Sequence, residues 1–278
     1  MLDYTVEVDN TTLQIYERGL PSDQLIIFLH GGPGSGASPI MKHPAFQALE
    51  NHYRCIYFDQ RGSGASLYPI ENGLARQRLI QDVYVVIEDS NLRWKPKSIF
   101  LWGGSYGGFL ACLYVQRYPD TIQGLLLSSP ALYYDHHQMY AFYQQIIANM
   151  KKRIHKENLS LLLSYCNLDP EDFFQVPVIR SLIFSKQNPS TSLKHIAAMS
   201  SWFFQTYFHG FFKTLTIPTL ILMGKEDPIC SVNETIHEVK DSQHSYIQSI
   251  CFSPCGHAVF DDCKEDFILS ITSFLSKI

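Results

Sequence analysis

The fold of this chain is decided by residues 98–115, which read SIFLWGGSYGGFLACLYV. The apolar run 98–102 predicts a buried strand, and 109–115 has the composition of a helix packed on a sheet. Between them lies G-x-S-x-G, with Gly103 and Gly107 two residues on either side of Ser105. A strand-to-helix turn this sharp needs glycine where a side chain would collide with neighbouring backbone. The motif therefore predicts that Ser105 is a nucleophile held above the sheet, the alternative being a glycine-rich turn with a capping serine.

Strands and helices alternate along most of the chain. Residues 4–9 and 13–18 alternate polar and apolar side chains and predict a hairpin. The segments predicted as buried strands are 25–29, 54–58, 122–127, 218–223 and 246–252, and those predicted as helices are 46–51, 74–89, 233–240 and 264–276. This order predicts an α/β fold with a mostly parallel central sheet flanked by helices.

The alternation stops at Ala131 and resumes near residue 215. Residues 131–214 predict helices and are rich in aromatic side chains. We therefore predict an α/β core formed by 1–130 and 215–278, with 131–214 inserted as a helical cap, or lid, above the carboxyl edge of the sheet. The alternative is a helical decoration whose aromatic residues serve only its own packing.

The chain offers a base and an acid to activate the serine hydroxyl, which is a poor nucleophile at neutral pH. In a sheet of this kind they should follow later strands in the order Ser, acid, His. Asp227 follows one late predicted strand and His257 follows the last one. Glu226 is an alternative acid, but the spacing from Gly224 to Asp227 gives the loop room to turn back towards the histidine. The predicted triad is Ser105, His257 and Asp227.

Two backbone N–H groups are needed to bind the oxyanion that forms during acyl transfer. Tyr106, at the start of the helix after Ser105, supplies one. The loop at 30–34, His-Gly-Gly-Pro-Gly, offers backbone without side-chain obstruction, and we expect Gly32 to supply the other. Each such donor contributes roughly 10²–10³-fold in rate. The loop lacks the Lys-Ser/Thr of a P-loop and the pattern G-x-G-x-x-G, so it does not indicate a phosphate site.

Composition limits the classes of function. The 278 residues are 46% hydrophobic and 13% aromatic, and a net charge of −4 without a basic stripe gives no reason to expect nucleic acid. Seven irregularly spaced cysteines indicate no disulfide framework. Cys251, Cys255 and Cys263 bracket His257 but match no closed zinc site, so we expect no metal and no cofactor. The polar N-terminus and the lack of a bilayer-spanning run predict a cytoplasmic protein that does not enter a membrane.

Three motifs together resemble the α/β-hydrolase superfamily, over essentially the whole chain. They are HGGPG at 30–34, DQRGSG at 59–64 and GGSYGG at 103–108, and their combination is similar to the proline iminopeptidase branch. The resemblance implies a cytoplasmic, cofactor-free serine peptidase that removes an N-terminal residue, often proline, from short peptides. It also implies a helical cap after the sixth core strand.

The insertion departs from that family in the residues that bind substrate. The family holds the cationic amino terminus with carboxylates, commonly a Glu in a Trp-rich cap helix. Here no Trp-x-x-Trp-Glu occurs, and eight Lys and Arg outnumber five Asp and Glu in 131–214. The candidate substrate-binding residues are Glu171, Asp172 and Trp202, although the two acids could instead cap a helix starting near Pro170. A carboxylesterase or lactonase for small apolar esters and, more remotely, a non-catalytic ligand receptor are the alternatives.

Overall fold

The structure, a computed structural model, describes residues 1–133, 168–185 and 190–278, without the side chains of Pro170 and Glu171. The strands are β1 (Leu2–Val8), β2 (Thr11–Gly19), β3 (Gln24–Leu29), β4 (Arg54–Phe58), β5 (Ser98–Gly104), β6 (Gly124–Ser128), β7 (Thr219–Gly224) and β8 (Ile247–Phe252). The described α-helices are α1 (Ser38–Met41), α2 (Pro44–Leu49), α3 (Arg76–Trp94), α4 (Tyr106–Arg117), α5 (Pro170–Phe173), α6 (Pro177–Phe184), α7 (Thr191–Met199), α8 (Phe211–Thr214), α9 (Val232–Ser242), α10 (Val259–Asp262) and α11 (Lys264–Leu275).

One eight-stranded sheet organises these elements, in the order β1-β2-β4-β3-β5-β6-β7-β8. The hairpin β1–β2 is antiparallel and joins the sheet by an antiparallel pairing of β2 with β4. The remaining neighbours, from β4 to β8, all pair in parallel. The predicted α/β fold with a mostly parallel sheet is confirmed.

Both faces of the sheet are covered, which explains why its central strands are largely apolar, as in β3, where residues 25–29 are all hydrophobic and buried. In β3, Ile27 and Leu29 point into a core shared with α3 and α4. Ile26 and Phe28 point to the other face, where the core includes residues of α2 and α11. Successive side chains of a strand point to opposite faces of the sheet, so each strand contributes to both cores.

Helix α3 begins and ends later than the sequence indicates. Leu74 lies outside the helix: its N–H donates to the carbonyl of Ala198 at 3.0 Å, and its carbonyl accepts from the indole N–H of Trp202 at 2.7 Å. The helix then runs on to Trp94 and stops at Lys95, whose φ of 48° is left-handed. The start was missed because both partners of Leu74 lie more than a hundred residues away.

The described part of the insertion is helical and carries α5 to α8. Its apolar side chains form a cluster of their own that includes Phe174, Ile179 and Ile183. Leu193 and Ile196 of α7 belong to the same cluster, whereas Met199, at the end of α7, joins the main core. Residues 134–167 and 186–189 of the predicted insertion lie outside the described residues, and its extent stays a prediction.

A buried carboxylate ties together the loops at the carboxyl edge of the sheet. Asp59, 3% exposed, accepts hydrogen bonds from the N–H groups of Ala37 and Ala65 at 2.7 and 2.8 Å, and from the hydroxyl of Tyr16 at 2.9 Å. A Cβ on Gly64 would overlap this carboxylate. Asp59, at the end of β4, therefore fixes the chain just after loop 30–34 and just after loop 59–64.

The same region contains a buried ion pair. Arg61 donates to Asp82 of α3 through two nitrogens, at 2.9 and 2.6 Å, and both side chains are at most 2% exposed. Burial raises the pKa of Asp82 to about 6, although Arg61 acts in the opposite direction. The pair fixes loop 59–64 to α3.

His30, the first residue of loop 30–34, is buried and acts as a neutral hydrogen-bonding group. Its Nε2 accepts from the N–H of Gln60 at 3.1 Å, and its Nδ1 lies 3.0 Å from the carbonyl of Gly31. Burial lowers the pKa of His30 to about 4. Loops 30–34 and 59–64 are thus joined through an uncharged imidazole.

No helix in the parts of the chain described above is both long and apolar enough to cross a bilayer.

We expect Asp82→Ala to lower the free energy of unfolding by about 3–5 kcal/mol, because Arg61 is left buried without a countercharge. Urea unfolding at pH 8, where Asp82 is ionised, measures the loss. Asp23→Ala is the matched control, since its ion pair with Lys97 is exposed and should leave the midpoint unchanged. A similar small effect in both variants would contradict the structural role of the buried pair.

The neutral state of His30 predicts a pH dependence. As pH falls below about 6.5 the unfolded chain binds a proton that the folded chain refuses until about pH 4, so stability is lost across this window. The difference in free energy of unfolding between wild type and His30→Asn should therefore shrink by about 3 kcal/mol from pH 7 to pH 4. Chemical unfolding at several pH values tests this, and a constant difference would contradict it.

Candidate active site

Ser105 sits at the turn between β5 and α4 in a strained backbone conformation. Its φ is 53° and its ψ is −120°, a region that side-chain-bearing residues rarely adopt. Its N–H donates to the carbonyl of Ser128 at 2.9 Å, and its carbonyl accepts from Gly108, Phe109 and Ala131 at 2.9, 3.2 and 3.1 Å. These hydrogen bonds stabilise the strained conformation, which costs about 1–3 kcal/mol for such a residue.

The glycines of the motif are required by the close packing of this turn. A Cβ on Gly103 would overlap the carbonyl of Gly107, and one on Gly107 would overlap the carbonyl of Leu29. The motif therefore brings α4 against β3 as well as β5. The expected steric origin of G-x-S-x-G agrees with these contacts.

Asp227 and His257 meet beyond the ends of β7 and β8. His257 Nδ1 lies 2.9 Å from Asp227 Oδ2, and the Asp227 side chain is 1% exposed. The other oxygen, Oδ1, accepts from the N–H groups of Ile229 and Cys230 at 2.8 and 3.0 Å. Burial alone would raise the pKa of Asp227, but the hydrogen bond and charge of His257 and these two N–H groups hold it below its ordinary value.

Glu226, the alternative acid, has other partners. Its carboxylate accepts from the Ser253 hydroxyl at 3.1 Å and the Cys255 N–H at 2.7 Å, which lowers its pKa. Asp227 therefore contacts His257, whereas Glu226 binds the loop that precedes His257. Among the described residues no hydrogen bond joins His257 to the Ser105 hydroxyl, a contact that often tightens only when substrate binds.

Of the two residues predicted to bind the oxyanion, Tyr106 follows Ser105 in the chain, and Gly32 lies in the loop whose Gly31 approaches Ser105. Tyr106 is the first residue of α4, where N–H groups have no partner within the helix. Loop 30–34 approaches from β3, and a Cβ on Gly31 would lie 3.2 Å from Ser105 Cβ. Gly32 has φ +101°, and a side chain there would overlap Ser35. Glycine is therefore required where the backbone faces the serine.

The candidate substrate-binding residues are placed differently from one another. Asp172 is exposed on α5, and the side chain of Glu171 lies outside the described residues. Trp202 donates its indole N–H to Leu74, and its ring lies 6.2 Å from that of Phe109. The described contacts of Trp202 are those of a residue that packs the insertion onto the core, so a substrate-binding role for it stays a prediction.

Two groups of side chains in the described part of the chain have ligand atoms within 4.8 Å of one another and could hold a metal ion: Asp227, Cys230 and His257, and His209, Glu234 and Glu238. In the first group Asp227 and His257 bond to each other, and burial raises the pKa of Cys230 well above its ordinary value, which disfavours the thiolate that metals bind. In the second, Glu238 accepts from His209 and Gly210 at 3.1 and 2.8 Å. We assign no metal to either.

Three residues of α7 contact the active-site loops or the first residue of α4, and sequence reasoning missed them. The hydroxyl of Ser192 donates to the carbonyl of Gly32, and the sulfur of Met199 accepts from the hydroxyl of Tyr106 at 3.2 Å. The His195 ring, 3% exposed, lies between them against loops 30–34 and 59–64. The spacing 192, 195, 199 marks one helix face, but nothing in the sequence indicates what that face touches.

Comparison of the sequence with known proteins identifies the protein family. A family model described as serine aminopeptidase, S33, matches residues 21–264. A proline iminopeptidase of Arabidopsis thaliana is 34% identical over 122 residues, covering 43% of this chain and 30% of that protein. One from Pestalotiopsis fici is 24% identical over 300 residues, covering 98% of this chain and 99% of that protein. The match thus spans about a third of the length of the more similar curated relatives.

Solved structures agree on the fold. An esterase from Exiguobacterium antarcticum superposes with a TM-score of 0.67 at 22% identity, covering 97% of each chain. At that identity the likeness concerns the fold alone. Together with the family match, it shows that this chain belongs to the serine aminopeptidase S33 family of α/β-hydrolases, in its proline iminopeptidase-like branch, and is a serine hydrolase.

Proposed function

We propose that Ser105, His257 and Asp227 form the catalytic triad of a proline iminopeptidase-like aminopeptidase that releases N-terminal residues from short peptides. The observation that carries the proposal is the His257–Asp227 hydrogen bond at the same sheet edge as the strained Ser105. Proline iminopeptidases among the relatives support the peptide substrate. A cytoplasmic location stays a prediction.

The geometry assigns each residue a step. Because His257 Nδ1 bonds to Asp227, Nε2 is left to take the proton of Ser105 as its oxygen attacks the substrate carbonyl. The N–H groups of Tyr106 and Gly32 bind the oxyanion. His257 then gives the proton to the leaving amine, and water attacks the acyl-enzyme with the same base.

An esterase or lactonase acting on small apolar esters is the second candidate. It is favoured because a peptide substrate needs a carboxylate to bind its ammonium group. The two acids of the insertion whose side chains are described, Asp169 and Asp172, are both exposed to solvent. An excess of Lys and Arg across 131–214 also opposes the binding of an ammonium group. A peptide substrate therefore depends on one well-placed carboxylate, for which Glu171 and Asp172 are our candidates.

Ser105→Ala and His257→Ala should each reduce turnover by about 10³-fold or more, because either change removes the activated nucleophile. Labelling by a fluorophosphonate should be lost in Ser105→Ala, with circular dichroism unchanged. Ser273→Ala and His237→Ala, both exposed on outer helices, are the matched controls. Near-normal turnover in His257→Ala would show that another group is the base, and labelling that persists in Ser105→Ala would exclude Ser105 as the nucleophile.

Proline and alanine arylamides assayed beside short-chain nitrophenyl esters separate the two candidates. For the aminopeptidase we expect arylamide turnover, with KM raised about 10-fold by Glu171→Gln or Asp172→Asn for the arylamide but not for the ester, because only the arylamide carries an ammonium group. Asp169→Asn is the control. Ester turnover without arylamide turnover would exclude the peptidase function and support the esterase function.

A further inference from the structure

Helix α7 of the insertion contacts both residues of the proposed oxyanion hole. Ser192 reaches Gly32 and Met199 reaches Tyr106, and seven residues, two helical turns, separate the two contacts. We propose that α7 positions the oxyanion hole, with Ser192 as the positioning residue for Gly32. The inference rests on the proposed triad and oxyanion hole, and concerns a part of the chain that holds no triad residue.

On one side of the hole, Ser192 restrains a glycine, the residue type with the fewest steric limits of its own. The Ser192 hydroxyl donates to the carbonyl of Gly32, in the peptide that leads to Pro33. Gly32 has φ +101° and no Cβ, so its own sterics leave several conformations open. A hydrogen bond to its carbonyl limits the rotation of Gly32 and keeps its N–H aimed at one place.

His195 backs the same loop from one turn further along α7. Its Nδ1 lies 2.8 Å from the carbonyl of Thr191, and its Nε2 lies 3.4 Å from the hydroxyl of Ser63. A Cβ on Gly34 would overlap the ring, and one on Gly62 would lie 3.2 Å from Nε2. The ring therefore fills the space beside Gly34 and packs close to Gly62, which restrains both loops.

On the other side, Met199 restrains Tyr106. The Tyr106 side chain is 5% exposed, its hydroxyl donates to Met199 Sδ at 3.2 Å, and its ring stacks on Phe109 with centroids 6.0 Å apart. Because the N–H proposed to bind the oxyanion belongs to this residue, anchoring the ring limits motion of that N–H.

Helix α7 packs on both the insertion and the core. Leu193 and Ile196 lie in the insertion's apolar cluster, whereas the Ala198 carbonyl accepts from the N–H of Leu74 of the core at 3.0 Å. Helix α7 therefore joins the insertion to the residues Gly32 and Tyr106. Under the proposal, the packing of α7 and the rate of acyl transfer are coupled.

The test compares Ser192→Ala with Ser192→Thr, which keeps the hydroxyl. The rate constant for fluorophosphonate labelling of Ser105 needs no knowledge of the substrate and depends on the oxyanion hole. Loss of a whole donor costs roughly 10²–10³-fold, so loss of its positioning should slow labelling by about 10-fold in Ser192→Ala, with Ser192→Thr close to wild type. On any substrate that is turned over, kcat should fall by the same factor while KM and Tm stay unchanged.

Ser181→Ala, at an exposed serine of α6, is the matched control and should label at the wild-type rate. Labelling of Ser192→Ala at the wild-type rate would overturn the inference. So would equal slowing in Ser192→Ala and Ser192→Thr, or a fall in Tm that accounts for the slowing. A wild-type chain that takes no label at Ser105 would instead refute the proposed triad, and with it the inference that rests on it.

Discussion

The left-handed conformation of Ser105 is the constraint on which the active site depends. A chain that leaves a parallel strand and enters a helix within one residue cannot keep ordinary dihedral angles, and Ser105 adopts φ 53° at that junction. Three N–H groups that donate to its carbonyl, and the bond of its own N–H to Ser128, over-determine this geometry. A residue so constrained presents its hydroxyl in one direction, as a nucleophile must be presented.

Close packing extends that constraint to the neighbouring strands. Because Gly107 lies against the Leu29 carbonyl, α4 touches the strand from which loop 30–34 departs. Neutral His30 then joins this loop to Gln60, and Asp59 bonds to the backbone of Ala37 and Ala65, just after the two glycine-rich loops. Buried polar groups here set the shape of the loops, since each loop is too rich in glycine to hold a shape by sterics.

Stability and chemistry make different demands on the buried charges of this edge. Arg61 and Asp82 are paired and fully enclosed, a structural arrangement. Asp227 is as buried, but its partner His257 remains 23% exposed and can reach a ligand. The same carboxylate chemistry therefore fixes a loop in one place and orients an imidazole in another, and the difference lies in whether the partner faces solvent.

Much of this protein follows from the sequence. Central strands covered on both faces are largely apolar, so strands such as β4, which is apolar after Arg54, could be placed to the residue. The motif around Ser105 carries its own steric reason. The order Ser, acid, His along a parallel sheet likewise predicted that Asp227 and His257 would share one edge.

Only the tertiary structure decided the contacts between distant segments. Three features depend on residues far away in the chain: the start of α3 at Arg76 rather than Leu74, the separate partners of Asp227 and Glu226, and the face that α7 turns to Gly32 and Tyr106. Local periodicity specifies which side chains share a face of a helix. What that face meets is set by long-range packing, which no window of sequence contains.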